Sequence, residues 1–290
     1  MRYKIFTVVI MFFAVFACKK LPDSITTPPV YGCTDPYGFN YNPNADTDDG
    51  SCQTPVRVFI PLLMDFTSTT SIPCGKWGTK AFYQLADAKD SITIAITIHE
   101  SGSSLTNSYA QAIKNAINPS STPDYYLNSL NGMVKTNGIV NLLSTMNNVL
   151  NTADSLSIID PIASSWFNFT ITGNQVSLNS ITGFYYAVPG NYYLAFYAIE
   201  DSIIAPQADS IGHVNNNFVH YNILRGGFTS PLGDTLVIGT VDPNGAYALN
   251  RTGMIPSNWK IPDLDFIAVI WRNQGTQWQI VNATRKSIVD

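Results

Sequence analysis

Between residues 57 and 150 the chain alternates two kinds of apolar spacing, and after residue 160 it keeps only one. Val58, Ile60 and Leu62 begin a strand, and Trp77, Ala81, Leu85 and Ala88 then share one face of a helix over Lys76–Lys89. Ile92, Ile94, Ile96 and Ile98 alternate with Thr93, Ala95 and Thr97, the period of a strand. Leu105, Tyr109, Ile113 and Ile117 recur every four residues, as in a second helix. Thr122-Pro123 leads into a third strand at Asp124–Leu127, and Ile139, Leu142, Leu143, Met146, Val149 and Leu150 form a last helical stripe. Strands alternating with helices predict an α/β layer structure with a partly parallel sheet. Beyond the junction at Ala153–Ile162 the alternation is strand-like throughout: Phe167, Phe169 and Ile171; Tyr193, Ala195, Tyr197 and Ile199; Ile267, Val269 and Trp271. Turn signals such as Pro189-Gly190-Asn191 and Asn273-Gln274-Gly275 separate these runs. Short strands at this spacing predict an antiparallel β-sandwich over 156–290.

The N-terminus belongs to neither part. Arg2 and Lys4 precede an apolar run, Ile5–Ala17, that is too short to span a bilayer. Val15-Phe16-Ala17-Cys18 is similar to the cleavage site of bacterial lipoproteins, which makes 1–17 a signal peptide and Cys18 the lipidated residue; the alternative is an ordinary signal peptide with an incidental cysteine. Residues 18–31 carry Pro22, Pro28 and Pro29 among Ser and Thr, the composition of a tether. Lys19, rather than Asp, after Cys18 fits transfer to an outer membrane. Only 12% of residues are charged, against roughly a quarter in typical proteins, and no basic patch marks a nucleic-acid partner.

Cys33 and Cys52 bracket a polar module at 32–54, GCTDPYGFNYNPNADTDDGSC followed by a short link. With Cys18 assigned to lipid, an exported chain is expected to hold one disulfide, Cys33–Cys52, and one free thiol, Cys74. The module resembles a small disulfide-closed unit of Bacteroidetes-type surface proteins. Asn42, Asn44, Asp46, Asp48 and Asp49 supply the oxygen-rich spacing that Ca²⁺ prefers. Gly50 comes one position late for an EF-hand and no glutamate closes the loop, so a stapled polar turn is the other reading. No other metal or cofactor is expected.

Ser71-Ile72-Pro73-Cys74 falls between the first strand and the first helix, where a thioredoxin-like site carries Cys-x-x-Cys. Asp65-Phe66-Thr67 before it, Ile96-Thr97-Ile98-His99 after it, and then Tyr193–Asp201, Ala205-Pro206-Gln207 and Val219–Arg225 follow in order. Together these resemble the outer-membrane-protein-28 lipoproteins over residues 57–290. The resemblance implies a thioredoxin-like unit at 55–155, a β-sandwich at 156–290, and a redox site near the pattern D-F-T-G-x-x-C-x-x-C-P. This chain departs from that pattern at Ser68, at Ser71 in place of the attacking cysteine, and at Gly75 in place of proline. A serine hydroxyl cannot replace a thiolate without an adjacent base. Ser71 reads instead as a helix cap, Pro123 as a cis-proline beside the site, and Cys74 as a packed thiol; monothiol chemistry at Cys74 is the alternative.

His99, His213 and His220 show no metal-ligand spacing, and no Gly-x-Ser-x-Gly elbow or phosphate loop occurs. Arg225 is expected to pack or pair inside the second part. Tyr185, Tyr186, Tyr192, Tyr193, Trp259, Trp271 and Trp278 are either core or a platform for protein or sugar. Asp-Ser or Asp-Thr before an aliphatic residue recurs at Ser24, Ser91, Ser155, Ser202, Ser210 and Thr235, similar to the O-glycosylation acceptor of Bacteroidetes-type exported proteins; such pairs also open strands. The sequence therefore predicts a protein that is lipid-anchored at the outer membrane, on its periplasmic or its cell-surface face, and is not an enzyme. It would bind the membrane through its lipid and other surface proteins or glycans through its folded part, with a thiol oxidoreductase using Cys74 as the alternative.

Overall fold

The computed structural model describes residues 28–243 and 245–288. The leader, Cys18, Ser24 and most of the tether lie outside the described residues. The first part consists of β1 (Leu62–Thr67), a π-helical turn at Cys74–Gly78 that runs into α1 (Thr79–Ala88), β2 (Ile94–His99), α2 (Ser108–Ile117), β3 (Asp124–Leu127) and α3 (Leu142–Ser157). Every residue of β1 and β2 is buried, because both faces of their sheet are covered. β2 lies parallel to β1, and β3 lies antiparallel on its other side.

The first strand starts later than its apolar alternation suggests. Asn282 captures the approach to it: its side chain accepts from the Ile60 N–H at 2.8 Å and donates to the Val58 carbonyl at 2.8 Å. Those backbone groups are satisfied by a side chain, so no ladder forms before Leu62.

Apart from a short 3-10 turn at Ile261–Asp263, the second part is made of strands: β4 (Ala163–Thr172), β5 (Gln175–Phe184), β6 (Gly190–Glu200), β7 (Ile203–Ser210), β8 (His213–His220), β9 (Ile223–Gly227), β10 (Asp234–Gly239), β11 (Ala246–Met254), β12 (Leu264–Gln274) and β13 (Gln277–Ser287). β4, β5 and β11 form a three-stranded antiparallel sheet. It faces a larger sheet across Phe167, Leu178, Phe184, Phe196, Phe266 and Ile270, an apolar layer between two sheets.

That larger sheet does not stop at the second part. Its order is β13-β12-β6-β9-β2-β1-β3, with β10 also on β6, so it crosses the junction near residue 155. The crossing is a short parallel contact. Ile223 stands opposite Thr97; the Thr97 N–H donates to the Asn222 carbonyl at 2.7 Å, and its hydroxyl donates to the Tyr221 carbonyl at 2.9 Å. One core cluster accordingly draws Met64, Ile96 and Ile98 from the first part and Tyr197, Val269 and Trp271 from the second. A separate cluster under α1 and α3 holds Leu63, Phe82, Leu85, Tyr125 and Val149.

The polar module is closed by Cys33–Cys52 and by a parallel pairing of Tyr31–Gly32 with Thr47–Asp48. It rests on the second part, with Phe39 stacked on Trp166 at 5.0 Å between centroids. β7 and β8 form a hairpin that belongs to neither large sheet.

Candidate functional site

Cys74 sits where β1 hands over to the first helix, fully buried and with a free thiol. Burial is the main cause that raises its pKa; the charge of Asp65 adds to the rise, and a contact from Ser71 opposes it. Asp65 is itself fully buried, and neither carboxylate oxygen has a hydrogen-bond partner among the described residues. Burial, then the nearby Asp124, pushes its pKa well above the usual carboxylate range. A thiol whose pKa is raised is a poor nucleophile, because the thiolate is the attacking species.

Ser71 immediately precedes the helix, which begins at Ile72, but its side chain makes no capping hydrogen bond among the described residues. The Ser71 carbonyl is used instead: it accepts from the Gly75 N–H at 3.3 Å and from Gln207 Nε2 at 3.1 Å. The Thr122–Pro123 bond is cis, and its ring packs against the same helical turn. A Cβ added at Gly78 would lie 2.4 Å from Pro123 Cγ.

The turn that carries Cys74 is overlaid by a hairpin from the other part of the chain. Gln207, fully buried on β7, also donates to the Ser68 carbonyl at 3.3 Å, and the Ala208 N–H donates to the Thr69 carbonyl at 2.8 Å. The β7 backbone passes so close that a Cβ at Gly75 would lie 2.1 Å from the Ala208 oxygen. Gly75, one of the departures noted in the sequence, is thus the residue that lets the hairpin close on the turn next to Cys74.

The same seam gathers two histidines that are distant in sequence. His99 at the end of β2 and His220 at the end of β8 stack edge to face at 5.3 Å. His99 Nδ1 and the Ser103 hydroxyl are 2.8 Å apart, while His99 Nε2 is buried without a partner among the described residues. Burial drives the pKa of His99 down to about 3, helped by His220, and that of His220 down to about 4. The Ala205 carbonyl opposes the shift at His220 but makes no hydrogen bond of good geometry with it. His213 is exposed and paired with Asp209 at 2.5 Å. No sequence spacing announces the His99–His220 contact, because it depends on the hairpin folding back over β2.

Four of the five oxygen-bearing side chains offered for calcium accept hydrogen bonds from within the module or its entry. Asn42 accepts from the Asn44 N–H, Asp48 from the Gly50 N–H, Asp49 from the Ser51 N–H, and Asp46 from the Val30 N–H and the Thr47 hydroxyl. Among the described residues no group of three or more His, Cys, Asp or Glu side chains is placed to hold a metal.

Most of the aromatic set belongs to the core rather than to a platform. Tyr192 and Trp271 are fully buried; Tyr193 and Trp278 stack at 5.2 Å over the shared core. Tyr185 and Tyr186 flank Arg57, which pairs with Asp160. Arg225 lies 5.8 Å over the Trp259 ring and 3.1 Å from Glu200, inside the second part as its sequence context implies. Ser91, Ser155, Ser202, Ser210 and Thr235 are all exposed. Their preceding aspartates are engaged: Asp90 with Arg285, Asp154 with Lys89, Asp201 with the Asn222 N–H, Asp209 with His213, and Asp234 with Arg251.

No protein-family model matches this chain, and no curated protein matches it. Its fold is similar to that of HBP35 of Porphyromonas gingivalis, with a TM-score of 0.63 over 82% of this chain and 77% of that one, at 13% identity. A domain of the outer membrane lipoprotein Omp28 from the same organism matches 44% of this chain and 88% of its own, at 12% identity and a TM-score of 0.31. The first likeness establishes a shared fold; the second is too slight to extend it. No helix among the described residues is long and apolar enough to cross a membrane.

Proposed function

We propose that this chain is a non-catalytic, lipid-anchored surface protein of an outer membrane. Residues 55–155 would be a thioredoxin-like unit without redox chemistry, and 156–290 a β-sandwich joined to it. The work of the pair is binding, adhesion or assembly of a surface complex with other proteins or glycans. The strand–helix order of the first part, the parallel β1–β2 pair and Pro123 packed on the first helical turn support the thioredoxin-like reading.

One observation carries the loss of chemistry: among the described residues Cys74 is the one cysteine at the site, it is buried in a turn clasped by a hairpin of the second part, and serine stands at the position of a partner thiol. Dithiol exchange needs an exposed thiolate to attack and a second thiol to resolve the mixed disulfide. The protein is expected to reduce insulin disulfides no faster than a Cys74→Ser variant, with dithiothreitol as the electron source. A rate above that variant would overturn the reading and leave the oxidoreductase alternative standing.

A further inference from the structure

We propose that the β7–β8 hairpin, which carries His220, is a hinged lid over His99 and the turn that holds Cys74, and that it opens as a unit while both large sheets stay folded. Three features point to this motion. The hairpin's ladder is internal, from Ile203 opposite His220 to Ser210 opposite His213, and it belongs to neither large sheet. Each end meets a non-glycine residue in the left-handed region, Ser202 at φ 59° and Asn222 at φ 54°. These two positions are clasped by the bond from the Asn222 N–H to Asp201 Oδ1 at 2.5 Å, so the chain turns sharply just where a hinge is needed.

The seam under the lid is polar, and its pairing is incomplete. Gln207 Nε2 and the Ala208 N–H are satisfied, but Gln207 Oε1 and His99 Nε2 are buried without a partner among the described residues. Opening lets water reach these groups, which offsets the bonds that are lost. The hairpin adds little apolar burial to hold the lid down: Ile211 at its tip is 94% exposed, Val214 49%, and Ile204 near its base 64%. Segments with few buried apolar contacts are the ones that open below the global unfolding free energy.

The lid makes Cys74 a gated modification site for small thiol-reactive electrophiles. This rests on the seam and not on the proposed function, since a gated thiol without a partner thiol still reduces no insulin. The probe is iodoacetamide on the full chain: the Cys74 thiolate displaces iodide, a carbon–sulfur bond forms, and the thiol proton goes to buffer. Carbamidomethylation of native protein is followed in low, stepwise urea. The expected rate is nearly independent of urea, because lid opening exposes little surface. Gln207→Ala, which removes the bonds to Ser68 and Ser71, is expected to raise the rate on the order of tenfold with circular dichroism unchanged. Gly75→Ala, whose Cβ cannot coexist with the Ala208 carbonyl, is expected to raise it further. Should Gly75→Ala fail to fold, the urea slope and Gln207→Ala still decide. Labelling that follows global unfolding with its full urea slope, in the wild type and in Gln207→Ala alike, would overturn the lid.

Discussion

His99 and His220 are neutral at pH 7 because burial leaves no room for their charge: their pKa values fall to about 3 and about 4, from 6.5. In the unfolded chain both would titrate near 6.5. Between that value and pH 4 the unfolded state binds more protons than the folded one, so stability rises with pH in this window and is lost as the pH falls through it. Asp65, whose pKa is shifted upward, works in the opposite direction. The melting temperature is therefore expected to drop from pH 6.5 to pH 4, and His220→Gln to flatten that drop. The slope carried by one such histidine is about 1.4 kcal/mol per pH unit. An unchanged slope in the variant would show that His220 is not held neutral. At this scale the sequence was half legible. Ser71 and Gly75 stand out as departures at the helix start, but the reason for Gly75 is the Ala208 carbonyl, which no local pattern connects to it.

Elements whose signal is local and periodic were the legible ones. The alternation Ile92–Ile98 became β2, and the four-residue recurrence from Leu105 became α2. Elements held by a distant group were not, as the late start of β1 beside Asn282 shows. α2 illustrates how an element is both started and docked by one side chain. Asn107 is its N-cap: its oxygen accepts from the Ala110 N–H at 3.0 Å, and its amide nitrogen donates to the Leu224 carbonyl on β9 at 2.7 Å. Asn107→Ala is expected to cost about 1–2 kcal/mol, the upper part of the range for a lost cap, because the Leu224 carbonyl loses its donor too. Asn107→Asp keeps the cap and loses only the donor, so it should fall between the two in urea denaturation. If the alanine and aspartate variants were equally destabilised, the bond to β9 would carry the effect and the cap none.

At the scale of the molecule, the change of pattern near residue 155 marks a change in element type but not a gap in the structure. One sheet runs through it from β13 to β3, and one core cluster takes side chains from both sides. Such continuity is invisible in periodicity, because Thr97 and Ile223 each fit an ordinary strand and nothing in either run names its neighbour. It has a thermodynamic consequence. A fragment of residues 28–157 would bare the β2 edge and leave Met64, Ile96 and Ile98 without the Tyr197, Val269 and Trp271 cluster. A fragment of 158–288 would bare the other side of the same layer and the β9 edge, and unpaired edges over exposed apolar surface aggregate. The whole chain is therefore expected to melt in one calorimetric transition, with calorimetric and van't Hoff enthalpies equal. The separate fragments are expected to lack a cooperative transition and to regain it when co-expressed. Two resolved transitions in the whole chain, each reproduced by one fragment alone, would mean that the shared sheet couples the two parts only weakly. The hairpin would then be a contact between independent bodies rather than a lid on a single one.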